Sequence, residues 1–157
     1  MNRTMSTKKK NLGTRLGTAK ASDGVRVLIV EDNTPLRELM ADVLELEGCT
    51  VTEAFDTSSM RRCMRTGGHE EYPEQPFDLI ITDIQMRGEN GLVSLEMLRR
   101  RGCNTPAVVV TAFPGFATRE KANELHATLL PKPFTLEEFR TVAAAALLPN
   151  GRALNGQ

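Results

Sequence analysis

The chain has 157 residues, of which 40% are hydrophobic and 25% charged, with a formal net charge of zero, and this composition is typical of a soluble globular domain with its own core. No apolar run approaches the length of a membrane span, and the basic N-terminus lacks the apolar stretch of a secretory signal. The three cysteines (Cys49, Cys63 and Cys103) are far apart and form no CxxC pair, so neither a zinc site nor a disulfide framework is indicated and reduced thiols in a cytoplasmic protein are expected.

The first 24 residues differ from the rest of the chain. They carry six basic side chains and one acidic one, are rich in Thr, Ser, Gly and Asn, and have no apolar period. This pattern predicts a disordered tail. Its charge would suit nucleic acid or an acidic partner, although a solvated leader is the simpler interpretation. We predict a tail over residues 1–24, one domain over residues 25–148 and a second tail over residues 149–157.

The first predicted strand is the apolar, β-branched run at residues 25–30, which is typical of a strand buried on both faces of a parallel sheet. A helix follows, with Thr34 as the expected cap and Pro35 as the expected first residue. Gly48 is expected to end this helix. Its apolar face is formed by residues at helical spacing, which are Leu36, Leu39, Met40, Val43 and Leu44.

The strand and helix cycle then repeats. Further strands are predicted at residues 49–55, 77–82, 107–110 and 128–130. Further helices are predicted at residues 57–66, 92–101 and 116–125, the last of these poorly amphipathic. A final helix opens at Thr135, with Glu138 at the capping-box position. Its predicted apolar face is formed by Leu136, Phe139, Val142, Ala143 and Ala146.

Regular alternation of strands and helices predicts an α/β fold, with a parallel sheet covered by helices on both faces. Residues 66–76 are longer than the usual connection, and we expect them to form an exposed insertion between the second helix and the third strand.

Polar side chains stand where four of the predicted strands end. Glu31 and Asp32 follow the first strand, Asp83 the third, Thr111 the fourth and Lys132 the fifth. In an open parallel sheet these ends face the ligand site. Three converging carboxylates repel one another, and a hard cation such as Mg²⁺ compensates for them. A carboxylate beside Mg²⁺ can attack a phosphoryl group and form an acyl phosphate. The ordered set therefore indicates a phosphoryl-accepting site.

Four segments carry a family resemblance: VLIVEDN (27–33), DLIITDIQMRGENGL (78–92), VVVTAF (108–113) and LPKPF (130–134). They resemble the CheY-like receiver domains of two-component response regulators, over about residues 25–148. The resemblance implies a flavodoxin-like (βα)5 three-layer sandwich with a five-stranded parallel sheet of order 2-1-3-4-5.

The resemblance also implies roles for individual residues. Asp83 is the expected phosphoacceptor, Asp32 a direct Mg²⁺ ligand, Glu31 a ligand acting mostly through water, and the Gln85 backbone carbonyl the third protein ligand. Mn²⁺ or Ca²⁺ is expected to substitute for Mg²⁺. Two further residues complete the site. The Thr111 hydroxyl is expected to move toward the phosphoryl group, and the Lys132 ammonium is expected to form an ion pair with it. The Lys132-Pro133 bond is expected to be cis.

The implied function is a cytoplasmic signalling switch that is phosphorylated by a sensor histidine kinase or a histidine phosphotransfer protein and then acts on an unidentified protein target. Catalysis is expected only of its own phosphorylation and dephosphorylation. Neither tail is long enough for a DNA-binding domain, no membrane association is expected, and a free-standing regulator is favoured over a piece of a hybrid kinase.

Departures from the family pattern keep a second hypothesis open. Arg87 replaces the usual proline, Leu129 stands where a switching aromatic residue is usual, and Pro114-Gly115 follows Thr111. The missing aromatic residue, the long insertion at residues 66–76 and the basic N-terminal tail motivate a binding module whose docking does not depend on phosphorylation. A phosphotransferase or hydrolase is disfavoured, since the chain lacks a cap domain. We also predict that Phe113 shields the acyl phosphate from water, and we assign no function to the two histidines, His69 and His126.

Overall fold

The computed structural model describes residues 24–65 and 76–148. The predicted N-terminal tail except residue 24, the predicted C-terminal tail, nearly all of the predicted insertion, and His69 lie outside the described residues. The strands of the main sheet are β1 (Arg26–Val30), β2 (Thr50–Ala54), β3 (Leu79–Asp83), β4 (Ala107–Thr111) and β5 (Ala127–Pro131). The helices are α1 (Thr34–Leu46), α2 (Thr57–Met64), α3 (Gly91–Arg100), α4 (Phe116–Glu124) and α5 (Leu136–Ala146).

The five strands form one parallel sheet in the order β2-β1-β3-β4-β5. The predicted order 2-1-3-4-5 and the flavodoxin-like fold class are thereby confirmed. A feature that the sequence did not predict follows β3, where Gln85–Met86 and Glu89–Asn90 pair as a short antiparallel hairpin. This hairpin lies directly after Asp83 and helps to position the candidate site.

The core has two apolar layers, one on each face of the sheet. Helices α2, α3 and α4 contribute buried residues to one layer, and α1 and α5 to the other. Alternate side chains of each strand enter opposite layers, as Leu28 and Ile29 of β1 do. Burial on both faces explains why the central strands are continuous apolar runs.

Several local predictions can be compared with the structure. The capping box of α5 is confirmed, because the Thr135 hydroxyl accepts the Glu138 N–H at 3.1 Å and Glu138 Oε2 accepts the Thr135 N–H at 2.7 Å. The predicted cap of α1 was wrong by one residue. Asn33, not Thr34, caps this helix, and its Oδ1 accepts the Leu36 N–H at 2.9 Å.

Two residues assigned to apolar helix faces lie outside the core. Leu39 of α1 is 43% exposed and Leu136 of α5 is 42% exposed. Both stand at the border of their helix's apolar stripe, where the neighbouring element decides whether a side chain is covered. Within the described residues, no helix is both long enough and apolar enough to cross a bilayer.

Candidate functional site

The structure brings three carboxylates together at the carboxyl end of the sheet. One oxygen from each of Glu31, Asp32 and Asp83 lies within 4.8 Å of the others. Glu31 is 1% exposed and Asp83 5% exposed, while Asp32 is half-buried. They converge because β1 and β3 are adjacent parallel strands that end at the same edge. An all-oxygen cluster of this kind has the donor chemistry that a hard divalent cation prefers.

Lys132 follows β5 and connects two of these carboxylates. Its ammonium group lies 2.6 Å from Asp83 Oδ2 and 3.2 Å from Glu31 Oε2. The Lys132-Pro133 peptide is cis. Burial alone would lower the pKa of the ammonium, but the hydrogen bond to Asp83 and the charges of both carboxylates outweigh it, so that the pKa is raised. Lys132 therefore remains protonated at neutral pH and offsets part of the negative charge.

The pKa of Glu31 is raised to about 7, mainly by burial and also by the neighbouring Asp83, against the opposing effects of the Asn33 N–H and the Lys132 charge. The cluster thus holds more negative charge than its single lysine can neutralise. A further positive charge at this position would relieve the repulsion, so the electrostatics agree with the donor chemistry.

Each carboxylate also accepts one main-chain N–H. Glu31 Oε1 accepts from Asn33 at 3.0 Å, Asp83 Oδ1 from Gln85 at 2.8 Å, and Asp32 Oδ2 from Arg87 at 3.2 Å. Asn33 and Arg87 were not among the predicted site residues, because every residue except proline has an N–H and no side-chain type indicates its use. The contact seen from Gln85 is its N–H, and the role of its carbonyl stays a prediction.

Gly91 packs against the backbone of Asp83 and was also missed. Its N–H donates to the Ile84 carbonyl at 2.9 Å, and a Cβ added at this position would lie 2.0 Å from the Asp83 carbonyl oxygen. Real Cβ atoms do not approach so closely. Only glycine therefore allows the start of α3 to lie against the end of β3.

Thr111 is buried at the end of β4. Its hydroxyl accepts the Phe113 N–H at 3.0 Å, and its carbonyl accepts the Lys132 N–H at 2.7 Å. Among the described residues, no hydrogen bond joins the Thr111 hydroxyl to Asp83. The Phe113 side chain is 66% exposed, and its shielding role stays a prediction. Leu129 is half-buried and packs against the apolar layer under α2, α3 and α4.

Residues 27–144 match the family described as "Response regulator receiver domain". The chain belongs to this family. Receiver domains of two-component systems are phosphorylation-activated signalling domains rather than conventional enzymes, they bind Mg²⁺ at an acidic pocket, and they accept phosphoryl groups from histidine kinases.

Relatives and solved structures agree with this assignment. The chain is 34% identical over 122 residues to the alkaline phosphatase synthesis transcriptional regulatory protein SphR of Synechococcus elongatus, covering 76% of this chain and 47% of that protein. It is 29% identical over 146 residues to the osmosensing histidine protein kinase SLN1 of Saccharomyces cerevisiae, covering 87% of this chain and 11% of that protein.

Among solved structures, the non-phosphorylated HemR receiver domain from Leptospira biflexa superposes with a TM-score of 0.69 at 29% identity, covering 78% of this chain and 94% of that one. The chain spans about half the length of the first curated relatives that it matches. The receiver domain is thus the part held in common.

Proposed function

We propose that this receiver domain, over residues 25–148, is a cytoplasmic switch that accepts a phosphoryl group on Asp83 from a phosphohistidine of a sensor histidine kinase or histidine phosphotransfer protein. The observation that carries the proposal is the 2.6 Å contact between the Lys132 ammonium and Asp83 within a cluster of three carboxylates. Glu31 also contacts the lysine, but the contact of Asp83 is the shorter of the two, at 2.6 Å against 3.2 Å.

The transfer needs one bond to form and one to break. A carboxylate oxygen of Asp83 attacks phosphorus, the bond from phosphorus to the donor imidazole nitrogen breaks, and the released imidazole takes up a proton. Lys132 offsets the charge on the transferring group. Its existing contacts with Asp83 and Glu31 hold the ammonium at the reacting carboxylate before the donor arrives.

The residues present fit a divalent cation. Asp32, Asp83 and the Gln85 carbonyl would hold Mg²⁺ directly, and Glu31 would do so mostly through water. Mn²⁺ or Ca²⁺ would suit the same oxygen donors. When bound, the cation supplies charge neutralisation at the phosphoryl oxygens. Both oxygens of Glu31 are in hydrogen bonds, to Asn33 and Lys132, and so are both oxygens of Asp83, to Gln85 and Lys132, so the outer position of Glu31 rests on the family resemblance.

Phosphorylation would change the charge balance beside Thr111. A phosphoryl group on Asp83 adds strong acceptor oxygens, and the Thr111 hydroxyl, now bonded to the Phe113 N–H, is the nearby donor expected to turn toward it. Movement of the segment after β4 would then alter the surface formed by α4, β5 and α5. The response is a shift between two populated states.

The proposal is tested by incubating the protein with acetyl phosphate and Mg²⁺ and separating the products on Phos-tag gels. Wild type should give a hydroxylamine-labile adduct that requires Mg²⁺, and borohydride reduction followed by mass spectrometry should place it at residue 83. Asp83→Asn should give none, whereas the matched control Asp42→Asn, at an exposed aspartate of α1, should be phosphorylated like wild type. An adduct that survives Asp83→Asn refutes the assignment.

A second candidate is a docking module that is insensitive to phosphorylation. Leu129 favours this candidate. It is half-buried against the core, and it has no aromatic ring that could change position together with the Thr111 hydroxyl. Backbone NMR shifts with and without beryllofluoride and Mg²⁺ separate the two functions. Changes that reach α4 and α5 support the switch, while changes confined to residues near Asp83 support docking alone.

A further inference from the structure

The three carboxylates of the site receive their main-chain donors from different distances along the chain. Glu31 accepts from Asn33 and Asp83 accepts from Gln85, each two residues later. The donor to Asp32 is the N–H of Arg87, which is 55 residues away. This bond therefore joins the segment after β1 to the hairpin after β3.

We propose that in this chain, where Arg87 replaces the proline usual at this position of the family, the main-chain N–H of residue 87 adds a contact that positions the Asp32 carboxylate for the cation, and that the guanidinium group takes no part. The inference rests on the proposed Mg²⁺ site. The N–H holds Oδ2, whereas among the described residues no hydrogen bond reaches Oδ1. One oxygen is thereby fixed and the other remains available. Ligating carboxylates are commonly oriented by such outer hydrogen bonds, and their removal typically weakens metal binding by about 10-fold to 100-fold.

The hairpin is itself fixed to the phosphoacceptor. Its two short strands pair Gln85 with Asn90 and Met86 with Glu89, and Gly91 at its end lies against the Asp83 carbonyl oxygen. Arg87 stands in the turn between the two strands. The backbone of Asp83, the hairpin and the Asp32 carboxylate thus form one connected unit, so that the phosphoacceptor and the cation ligand hold a constant relative position.

The guanidinium group has no comparable contact. The Arg87 side chain is exposed, and the described residues show neither an ion pair nor a hydrogen bond from it. A test can therefore separate the main chain from the side chain. Arg87→Ala and Arg87→Pro both remove the guanidinium group, but only the proline variant also removes the N–H.

The experiment compares Mg²⁺ affinity of the two variants by isothermal titration calorimetry, after circular dichroism has shown that both are folded. We expect the dissociation constant of Arg87→Pro to exceed that of Arg87→Ala by about tenfold. Equal affinities, or tighter binding by the proline variant, overturn the inference. If wild type itself binds no Mg²⁺, the proposed cation site fails instead, so the two failures are distinguishable.

A second measurement applies even if the proline variant does not fold. The exchange rate of the Arg87 amide is followed by NMR in the metal-free protein, in wild type and in Asp32→Ala. Loss of a hydrogen bond to a charged acceptor should speed exchange about tenfold. The matched control, Asp42→Ala, changes an exposed aspartate of α1 that makes no hydrogen bond with residue 87 among the described residues. An Arg87 amide that exchanges at the same rate in wild type and Asp32→Ala overturns the inference.

Discussion

The carboxyl end of the central strands and helix α4 are held in place by different means. Every residue of β3 and β4 is buried, and these strands fix the backbone at Asp83 and Thr111. In α4, by contrast, Ala122 is the one buried residue, and the Gly115 cap contributes no side-chain hydrogen bond. The proposed phosphoacceptor Asp83 is built on the core, whereas the neighbouring helix α4 packs on the core with little apolar contact.

Polar contacts with α3 replace the missing apolar contacts of α4. The Arg99 guanidinium donates to the carbonyl of Leu125, directly after α4, at 2.9 Å, and to the carbonyls of Cys103 and Thr105, between α3 and β4, at 2.9 Å and 2.7 Å. The Lys121 ammonium lies 3.0 Å from Glu96 Oε1. An ion pair as exposed as that of Lys121 and Glu96 contributes little to stability, and polar contacts can be exchanged for contacts with water. This difference suits a switch, because its reacting group must be held rigidly while its responding element shifts at small cost in free energy.

The largest effect is expected where the core fixes the site. In Gly91→Ala, the new Cβ would meet the Asp83 carbonyl oxygen at 2.0 Å, so β3 and α3 must separate, and we expect a loss of about 3 kcal/mol or more in the free energy of unfolding. The matched control is Gly115→Ala at the start of α4, where an added Cβ meets nothing within 4 Å and a change within about 1 kcal/mol is expected.

Urea denaturation followed by circular dichroism measures both variants. The contrast between the two regions is wrong if Gly91→Ala is no less stable than Gly115→Ala.

The residues of the site show which of its features could be predicted from the sequence and which could not. The strand ends that carry Glu31, Asp32 and Asp83 could be predicted, because apolar runs locate buried strands and parallel strands end at one edge. The tight contact of Gly91 could not, since it depends on how α3 lies against β3. Main-chain donors such as the Arg87 N–H could not be predicted either, because every residue except proline has an N–H and no side-chain type indicates its use.

Helix faces were predicted only in part. The apolar period located α1 and α5, and their central residues, such as Met40 and Phe139, are buried. Leu39 and Leu136 lie on the border of the stripe, and their exposure depends on neighbouring elements that a helical period does not specify. The weak amphipathicity of α4 was visible in the sequence, but its attachment through Arg99 joins residues 26 positions apart and follows only from the packing of α3 beside α4.

An intermediate effect is expected at Arg99. Its replacement by Met keeps an apolar stem but leaves three carbonyls without their donor, and burial already lowers the pKa of this guanidinium below its usual value. We expect a loss of about 2 kcal/mol, together with faster amide hydrogen exchange in α4. The control is Arg100→Met at the next position, where the side chain is 77% exposed and makes one ion pair, with Glu96, and where the change should stay within about 0.5 kcal/mol.

Hydrogen exchange distinguishes attachment of α4 from general destabilisation. If α4 exchanges no faster relative to β1 and β3 in Arg99→Met than in Arg100→Met, Arg99 does not hold this helix.

The smallest effect is expected at the ion pair between Glu96 and Lys121. The hydrogen bond that Lys121 donates to Glu96 lowers the pKa of Glu96 and raises the pKa of Lys121, in the second case against the opposing effect of burial. A lowered carboxylate pKa stabilises the fold above the unfolded value, near 4.3, and this contribution is lost as the pH falls through the folded pKa. A raised lysine pKa stabilises the fold below the unfolded value, near 10.4, and is lost as the pH rises through the folded pKa. Glu96→Gln should therefore destabilise the protein slightly at neutral pH, and by less at an acidic pH below the folded pKa of Glu96, where wild type has lost the pair as well. Glu120→Gln, on the exposed side of α4, is the control at both pH values. A penalty for Glu96→Gln that is the same at both pH values would mean that the carboxylate charge does not hold α4 against α3.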